Sequence, residues 1–308
     1  MIEVENLTKR YGPKTAVDRL TFTAPQGEIL GILGKNGAGK TSTMRMLTGY
    51  MPPSSGTARV AGYDVVEDSL EVRRRVGYMP ERVPLYPDMT VEGYVTFWAR
   101  LRGVSKPKAR VAAVLEQVRL TDRRKSLVRN LSKGLKQRLG LAQTLVHDPD
   151  VVILDEPTIG IDPEQVIEVR QAVRDLAQTH TVLFSTHILS EAEQVCDRVI
   201  IIDQGRLVAS GTPAALREQL YPGDSLFVQI GGAGRDKVEA LLAGLPAITQ
   251  VERMGTGYAL HAPAGTDIRA QVFKRVTDAG YHLLEMRPMA VTLEDIFLAI
   301  VTREQDRV

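Results

Sequence analysis

The sequence predicts an α/β domain of about 220 residues followed by a small α+β domain, and three observations carry that reading. The first is an apolar run, Ile29 to Leu33, that enters a glycine-rich stretch, Gly34-Lys35-Asn36-Gly37-Ala38-Gly39-Lys40-Thr41, and then a helical pattern from Thr43 to Leu47. The second is Val151-Val152-Ile153-Leu154 closed by Asp155-Glu156, which reads as a buried parallel strand delivering two acids to the carboxyl edge of a sheet, where α/β proteins hold ligands. The third is a change of order beyond Tyr221-Pro222-Gly223-Asp224, where the patterns run β-α-β-β-α-β, the succession of a ferredoxin-like unit.

The glycine-rich stretch has the spacing G-x-x-x-x-G-K-[ST] of a phosphate-binding loop. Its glycines let successive backbone N–H groups turn inward around an anion. The helix that follows directs about half a unit of positive charge at the same point, Lys40 adds a mobile full charge, and the Thr41 hydroxyl is placed to hold Mg²⁺.

With 308 residues there is room for a nucleotide domain and a smaller second one. The chain is 44% hydrophobic and 25% charged, the composition of a globular protein with a sizeable core. Its 39 basic residues are matched by 37 acidic ones, which gives no case for a nucleic-acid partner. No apolar run reaches the roughly 18 residues of a membrane span, and the acidic start, Met1-Ile2-Glu3-Val4-Glu5, enters a strand pattern with no sign of a secretory leader. The single cysteine, Cys196, excludes an internal disulfide and suits a reducing compartment; it reads as a small buried apolar residue.

Taken in order, residues 2–7 and 20–23 alternate as two strands of an antiparallel layer. Tyr11, between them, is either an aromatic platform for a purine or an ordinary strand-end tyrosine. Pro52-Pro53-Ser54-Ser55-Gly56 is a turn cluster, Thr57 to Val60 a strand, Glu67 to Arg75 a short helix and Val76 to Met79 a buried strand. The prolines of Pro80-Glu81-Arg82-Val83-Pro84 remove backbone donors and enforce a loop that carries a carboxylate. From Val91 to Val118 the pattern is helical with a break at Gly103 to Pro107, and Trp98, Leu101, Val111, Val114 and Leu115 are its expected core positions. Ser132 stands where it caps a helix running to Val146. Helix Pro163 to Ala177, strand Thr181 to Ser185 ending in Thr186-His187, a hairpin of Arg198–Asp203 and Arg206–Ser210, and a closing helix Pro213 to Leu220 complete the first domain. The tail reads as strands 226–230, 248–254, 258–261 and 283–286 with helices 236–243, 267–279 and 293–301.

This ordered set resembles the ATP-binding subunit of an ABC transporter over residues 1–220. Gly34 to Thr41 is similar to the Walker A loop, Val151 to Glu156 to Walker B, Leu131 to Leu135 to the signature motif, Gly160-Ile161-Asp162 to the D-loop and His187 to the switch histidine. Pro80 to Leu85 and the tail Thr292-Leu293-Glu294-Asp295-Ile296-Phe297 are most similar to bacterial type-2 exporters of the drug-export and gliding-motility kind. The resemblance implies a P-loop NTPase core at residues 1–220 with a helical subdomain at about 86–147, and an accessory domain at residues 224–308. It implies ATP and Mg²⁺ as cofactors, with Gly34, Asn36, Gly37, Ala38, Gly39, Lys40, Thr41 and Thr43 around the phosphates and Tyr11 on the adenine. Lys40 would bridge the β- and γ-phosphates, Thr41 and Asp155 would hold the metal, Glu156 would orient and deprotonate the attacking water, and His187 would contact the γ-phosphate.

It further implies a head-to-tail pair of subunits, in which Ser132, Gly134 and Asp162 of one copy face the nucleotide of the other, on the cytoplasmic side of integral membrane subunits. Read without the family, Ser132 is a plain helix cap. Two departures stand out. Lys133 and Leu135 replace residues of the usual Leu-Ser-Gly-Gly-Gln, and Glu81 stands where most members carry glutamine. A carboxylate accepts hydrogen bonds only, so Glu81 is expected to serve a metal or a water. The resulting expectation is an ATP-hydrolysing exporter motor. The competing readings are a soluble relative acting on the ribosome or DNA, which usually carries two fused nucleotide domains or a long coiled coil, and a nucleotide-dependent regulator.

Overall fold

In this computed structural model the described residues are 1–220, 223–263, 265–289 and 292–298. The alternation at the amino end produces β1 (Ile2–Tyr11) and β2 (Lys14–Ala24), paired antiparallel around a turn at Gly12, whose φ of 57° suits glycine. β3 (Ile29–Leu33) is buried throughout and leads through the glycine loop into α1 (Lys40–Leu47). β4 (Ser55–Val60) and β5 (Tyr63–Asp64) extend the antiparallel layer to the order β2-β1-β4-β5. α2 (Ser69–Arg75) feeds β6 (Val76–Met79), and three helices follow: α3 (Val91–Leu101), α4 (Pro107–Gln117) and α5 (Lys133–Leu145).

The chain then returns with β7 (Val151–Asp155), α6 (Pro163–Ala177), β8 (Thr181–Thr186), α7 (Leu189–Val195), β9 (Arg198–Asp203), β10 (Arg206–Gly211) and α8 (Pro213–Leu220). Their sheet has the order β10-β9-β3-β8-β7-β6, parallel from β9 to β6, with β10 as an antiparallel edge. β7 and β8 have no exposed residue, as parallel strands covered on both faces require. α1 and the antiparallel layer cover one face of this sheet in a single apolar cluster that includes Leu7, Leu20, Ile32, Met44, Leu47 and Ile153.

Residues 1–213 form one compact unit, and the described residues from Ala214 onward form a second. In the second, β11 (Asp224–Gly231), α9 (Arg235–Ala243), β12 (Gln250–Met254), β13 (Gly257–Ala262), α10 (Arg269–Asp278) and β14 (His282–Pro288) follow the β-α-β-β-α-β succession. The strands are antiparallel in the order β12-β13-β11-β14, and Val228, Leu242, Leu260, Val272 and Val276 form the core. The expected break at Tyr221-Pro222 and the end of the expected last helix, beyond residue 298, lie outside the described residues. Residues 293–298 are helical, with Leu293, Ile296 and Phe297 buried.

One expected core position is corrected. Leu101 is 63% exposed, because the buried stripe of α3 runs Val91, Tyr94, Val95, Ala99 and Leu101 falls off it. α7, two turns between β8 and β9, is absent from the sequence reading; seven residues are too few to establish a helical period.

His147, just after α5, ties the helical region to the sheet. Its Nε2 lies 3.1 Å from the Val76 carbonyl, so Nε2 carries the proton, and Nδ1 is buried without a partner. Burial first, and then the charges of Arg102 and Arg110, lower its pKa from 6.5 to about 4. The folded value lies below the unfolded one, so the neutral ring's contribution is present above pH 6.5 and lost as pH falls towards 4. Between these limits wild type should lose on the order of 5 °C more in Tm than His147→Gln, which keeps a donor for Val76. Calorimetry across that pH range measures the difference.

Candidate functional site

The site is assembled at the carboxyl edge of the parallel sheet, where β3, β7 and β8 end side by side. After Leu33 the loop must pass directly under the end of β9, and a Cβ at Gly34 would collide with the Ile202 carbonyl. Gly39, at φ 111°, would place a Cβ 2.5 Å from the Ala16 carbonyl oxygen. The loop is pinned by an N–H of Ala38 donating to Lys35 O at 3.1 Å and an N–H of Gly205 donating to Ala38 O at 2.9 Å. Lys40, almost fully buried, points back into the loop; its Nζ donates to Gly34 O at 2.7 Å and to Lys35 O at 3.4 Å.

The two carboxylates after β7 are held by its neighbours. Asp155 is 1% exposed; its Oδ1 accepts from Ser185 Oγ at 2.7 Å, and its Oδ2 accepts from Tyr78 OH at 3.5 Å. Burial, with the Asp155 charge beside it, pushes Tyr78 up to about 12, so the phenol remains a donor. Glu156 adopts φ 51°, and its N–H donates to Ser185 O at 3.2 Å and Oγ at 3.1 Å. That turn brings Glu156 Oε1 to 3.5 Å from Lys40 Nζ, while Oε2 lies 2.7 Å from His187 Nδ1 and accepts the His187 backbone N–H at 3.3 Å. Lys40, Glu156 and His187 therefore form one connected group drawn from three elements.

They face a cleft of about 640 Å³ that Tyr11, Lys35, Asn36, Gly37, Gly39, Thr41 and Glu81 also line. The Tyr11 ring is 45% exposed, with Lys9 Nζ 5.6 Å from its centroid. Its hydroxyl donates to Met51 Sδ at 3.1 Å. Ala38 and Gly34 shape the loop from behind. Thr43 is not at the cleft: it is fully buried, and its hydroxyl donates to Gly39 O at 3.0 Å in the first turn of α1. Ser42 occupies the cleft wall instead, with Lys14 and Ala16. The available signal was helical phase, since Ser42 is the residue between the cleft-facing Thr41 and the inward Thr43.

Ser132, Gly134 and Asp162 lie outside this cleft. Ser132 caps α5, its Oγ accepting from the Leu135 N–H at 3.3 Å. Gly134 is buried against the Gln165 carboxamide, which fills the place of a Cβ, and Asp162 begins α6 without a side-chain cap. The Lys133 ammonium rests on Gly160, so the signature and D-loop segments touch within one chain.

No group of three or more His, Cys, Asp or Glu able to hold a metal occurs among the described residues. Thr41 and Asp155 offer hard oxygen ligands of few number, a set that fits Mg²⁺ completed by water and phosphate rather than an all-protein metal cage.

A glycine loop, a buried carboxylate and a histidine at the edge of a parallel sheet define a nucleoside-triphosphate hydrolase of the P-loop class. The ABC transporter family model matches residues 17–159. A linearmycin resistance ATP-binding protein of Bacillus subtilis is 33% identical over 98% of this chain and 99% of its own length. A Nod factor export ATP-binding protein of Paraburkholderia xenovorans is 37% identical over 98% and 97%. Among solved structures, an ATP-binding subunit of an ABC transporter is 31% identical with a TM-score of 0.65, covering 71% of this chain and 93% of that one. The chain belongs to the ABC transporter ATP-binding subunits, and its activity is ATP hydrolysis.

Ser185, absent from the sequence-derived set, donates to Asp155 and accepts from Glu156. Ser185→Ala should lower kcat about tenfold with KM for ATP within about twofold, and cost about 1 kcal/mol of stability. Steady-state ATPase assays and denaturant unfolding read the two effects.

Proposed function

We propose that this chain is the ATP-hydrolysing motor of an exporter, working as one of two copies on separate membrane-embedded subunits at the cytoplasmic face. The observation that carries the reading is the convergence of Lys40, Glu156 and His187 on one cleft. Phosphate entering the loop competes with Glu156 for Lys40. Once released from Lys40, the Glu156 carboxylate accepts a proton from the attacking water, while His187 fixes its second oxygen. Tyr11 stacks on the base, and Gly34, Asn36, Gly37, Ala38 and Gly39 present the loop's backbone to the phosphates. Thr41 and Asp155 would hold Mg²⁺, which would neutralise phosphate charge. Glu81, on the exposed rim, would accept a hydrogen bond from a water at the site.

Supporting the second copy, Ser132 and Asp162 are exposed and lie away from the cleft of their own chain, which leaves them to face another's; Gly134 reaches it once the Gln165 carboxamide that covers it moves aside. No described helix is long and apolar enough to cross a bilayer, and this reading assigns the span to another chain. A second cleft, lined by Tyr50, Leu70, Leu101, Arg45, Arg73 and Arg82, supplies an apolar and cationic seat for it. Tyr50 and Leu70 there are 77% and 66% exposed. The curated relatives described above are named for export and resistance, which supports this reading over a ribosomal, DNA-directed or purely regulatory one.

Glu156→Gln should reduce ATP turnover at least about a hundredfold while keeping nucleotide affinity. With ATP and Mg²⁺ it should accumulate as a dimer by light scattering, and from detergent-solubilised membranes it should bring down a protein with several apolar spans. Turnover within a few-fold of wild type, or recovery of ribosomal proteins alone, would count against the assignment.

A further inference from the structure

Behind the nucleotide site, and sharing no residue with its cleft, is a cavity of about 460 Å³ between the end of α3, the start of α4 and the end of α5. Its wall carries Arg102, Lys106, Arg110 and His147 against a single carboxylate, Asp148. That carboxylate is already committed, with Arg110 Nη2 at 2.8 Å from its Oδ1. Arg110 is further fixed by donating from Nε to Val146 O at 3.2 Å and from Nη2 to Leu145 O at 2.7 Å. Neither Arg102 nor Lys106 has a carboxylate partner among the described residues; Arg102 donates only to the Arg73 carbonyl, at 2.6 Å. Lys106 is the N-cap of α4, which has no side-chain cap and no acid in its first turn, so the amides of Lys108 and Ala109 also lack partners on this side.

Gathering three cations and an imidazole around one cavity costs mutual repulsion, which Asp148 offsets at Arg110 alone. A phosphate group would relieve the rest: its oxygens would take two charge-assisted hydrogen bonds from a guanidinium, one from an ammonium and the helix amides behind them. We propose that this cavity is a second phosphate-binding site, distinct from the nucleotide cleft, which takes a phosphate group either as the free anion or as the headgroup of an acidic lipid. Arg102 and Lys106 supply the contacts, Arg110 is the fixed wall, and His147, whose protonation is suppressed in part by Arg102 and Arg110, senses the charge that arrives. The inference stands without the exporter reading.

The test uses the full chain carrying Lys40→Met and Glu156→Gln together, so that the nucleotide loop no longer competes for phosphate and no buried charge is left unpaired. The His147 ring resonance, assigned by its loss in His147→Gln, is followed by NMR across pH with and without millimolar inorganic phosphate, at ionic strength matched with chloride. Its pKa should rise by on the order of one unit with phosphate. Arg102→Gln/Lys106→Gln should weaken that response at least about tenfold. In parallel, sedimentation with phosphatidylcholine vesicles, with and without phosphatidylglycerol, identifies the source. Binding to acidic vesicles that the double variant loses assigns the lipid headgroup, whereas a phosphate response with no such loss assigns the free anion. The proposal fails if the double variant responds to phosphate as its parent does, or if neither phosphate nor acidic vesicles register on the parent.

Discussion

The buried ion pair between Lys40 and Glu156 governs the catalytic end of this molecule. Both side chains are less than a tenth exposed, so each charge has lost most of its water and depends on the other and on a few fixed dipoles. Such a pair adds little to stability, but leaving either member alone in that place would be severe. The requirement reaches outward. Glu156 meets Lys40 only because Ser185 accepts its backbone N–H, and Ser185 is in register only because β8 lies between β3 and β7. A triphosphate is the kind of ligand that can replace Glu156 as the partner of Lys40, and that exchange would tie nucleotide binding to release of the Glu156 carboxylate.

Much of this was legible in the sequence because it is written in local patterns. β3, β6 and α6 occupy the ranges their apolar periodicity gives, and the glycine loop's function follows from its spacing alone. What escaped depends on contacts between segments distant in sequence. Ser185 and Tyr78 act on Asp155 across neighbouring strands, and no local spacing reports that they do. Thr43 and Ser42 differ by one helical step, which reverses which of them faces the cleft. Leu101 looked like core because it follows Trp98 at helical spacing, yet the helix turns it outward, between Arg100 and Arg102.

The loop after β6 connects two surfaces that the sequence presents as unrelated. Glu81 lines the nucleotide cleft, while its neighbours Pro80 and Arg82 line the apolar and cationic cleft on the other side. The prolines at 80 and 84 restrict the backbone around them, so the link between the two surfaces is short and stiff.

Glu156 itself stands in a left-handed backbone conformation, φ 51°, in which a residue other than glycine costs on the order of 1–3 kcal/mol. Add the desolvated carboxylate, and the fold carries two separate costs at the residue proposed as the base. Exchanging this glutamate for glycine or asparagine would relieve the backbone but strand Lys40 in its buried place, so the strain and the ion pair pull in opposite directions. A laboratory lineage selected only for heat resistance would therefore keep the glutamate, and with it the turnover.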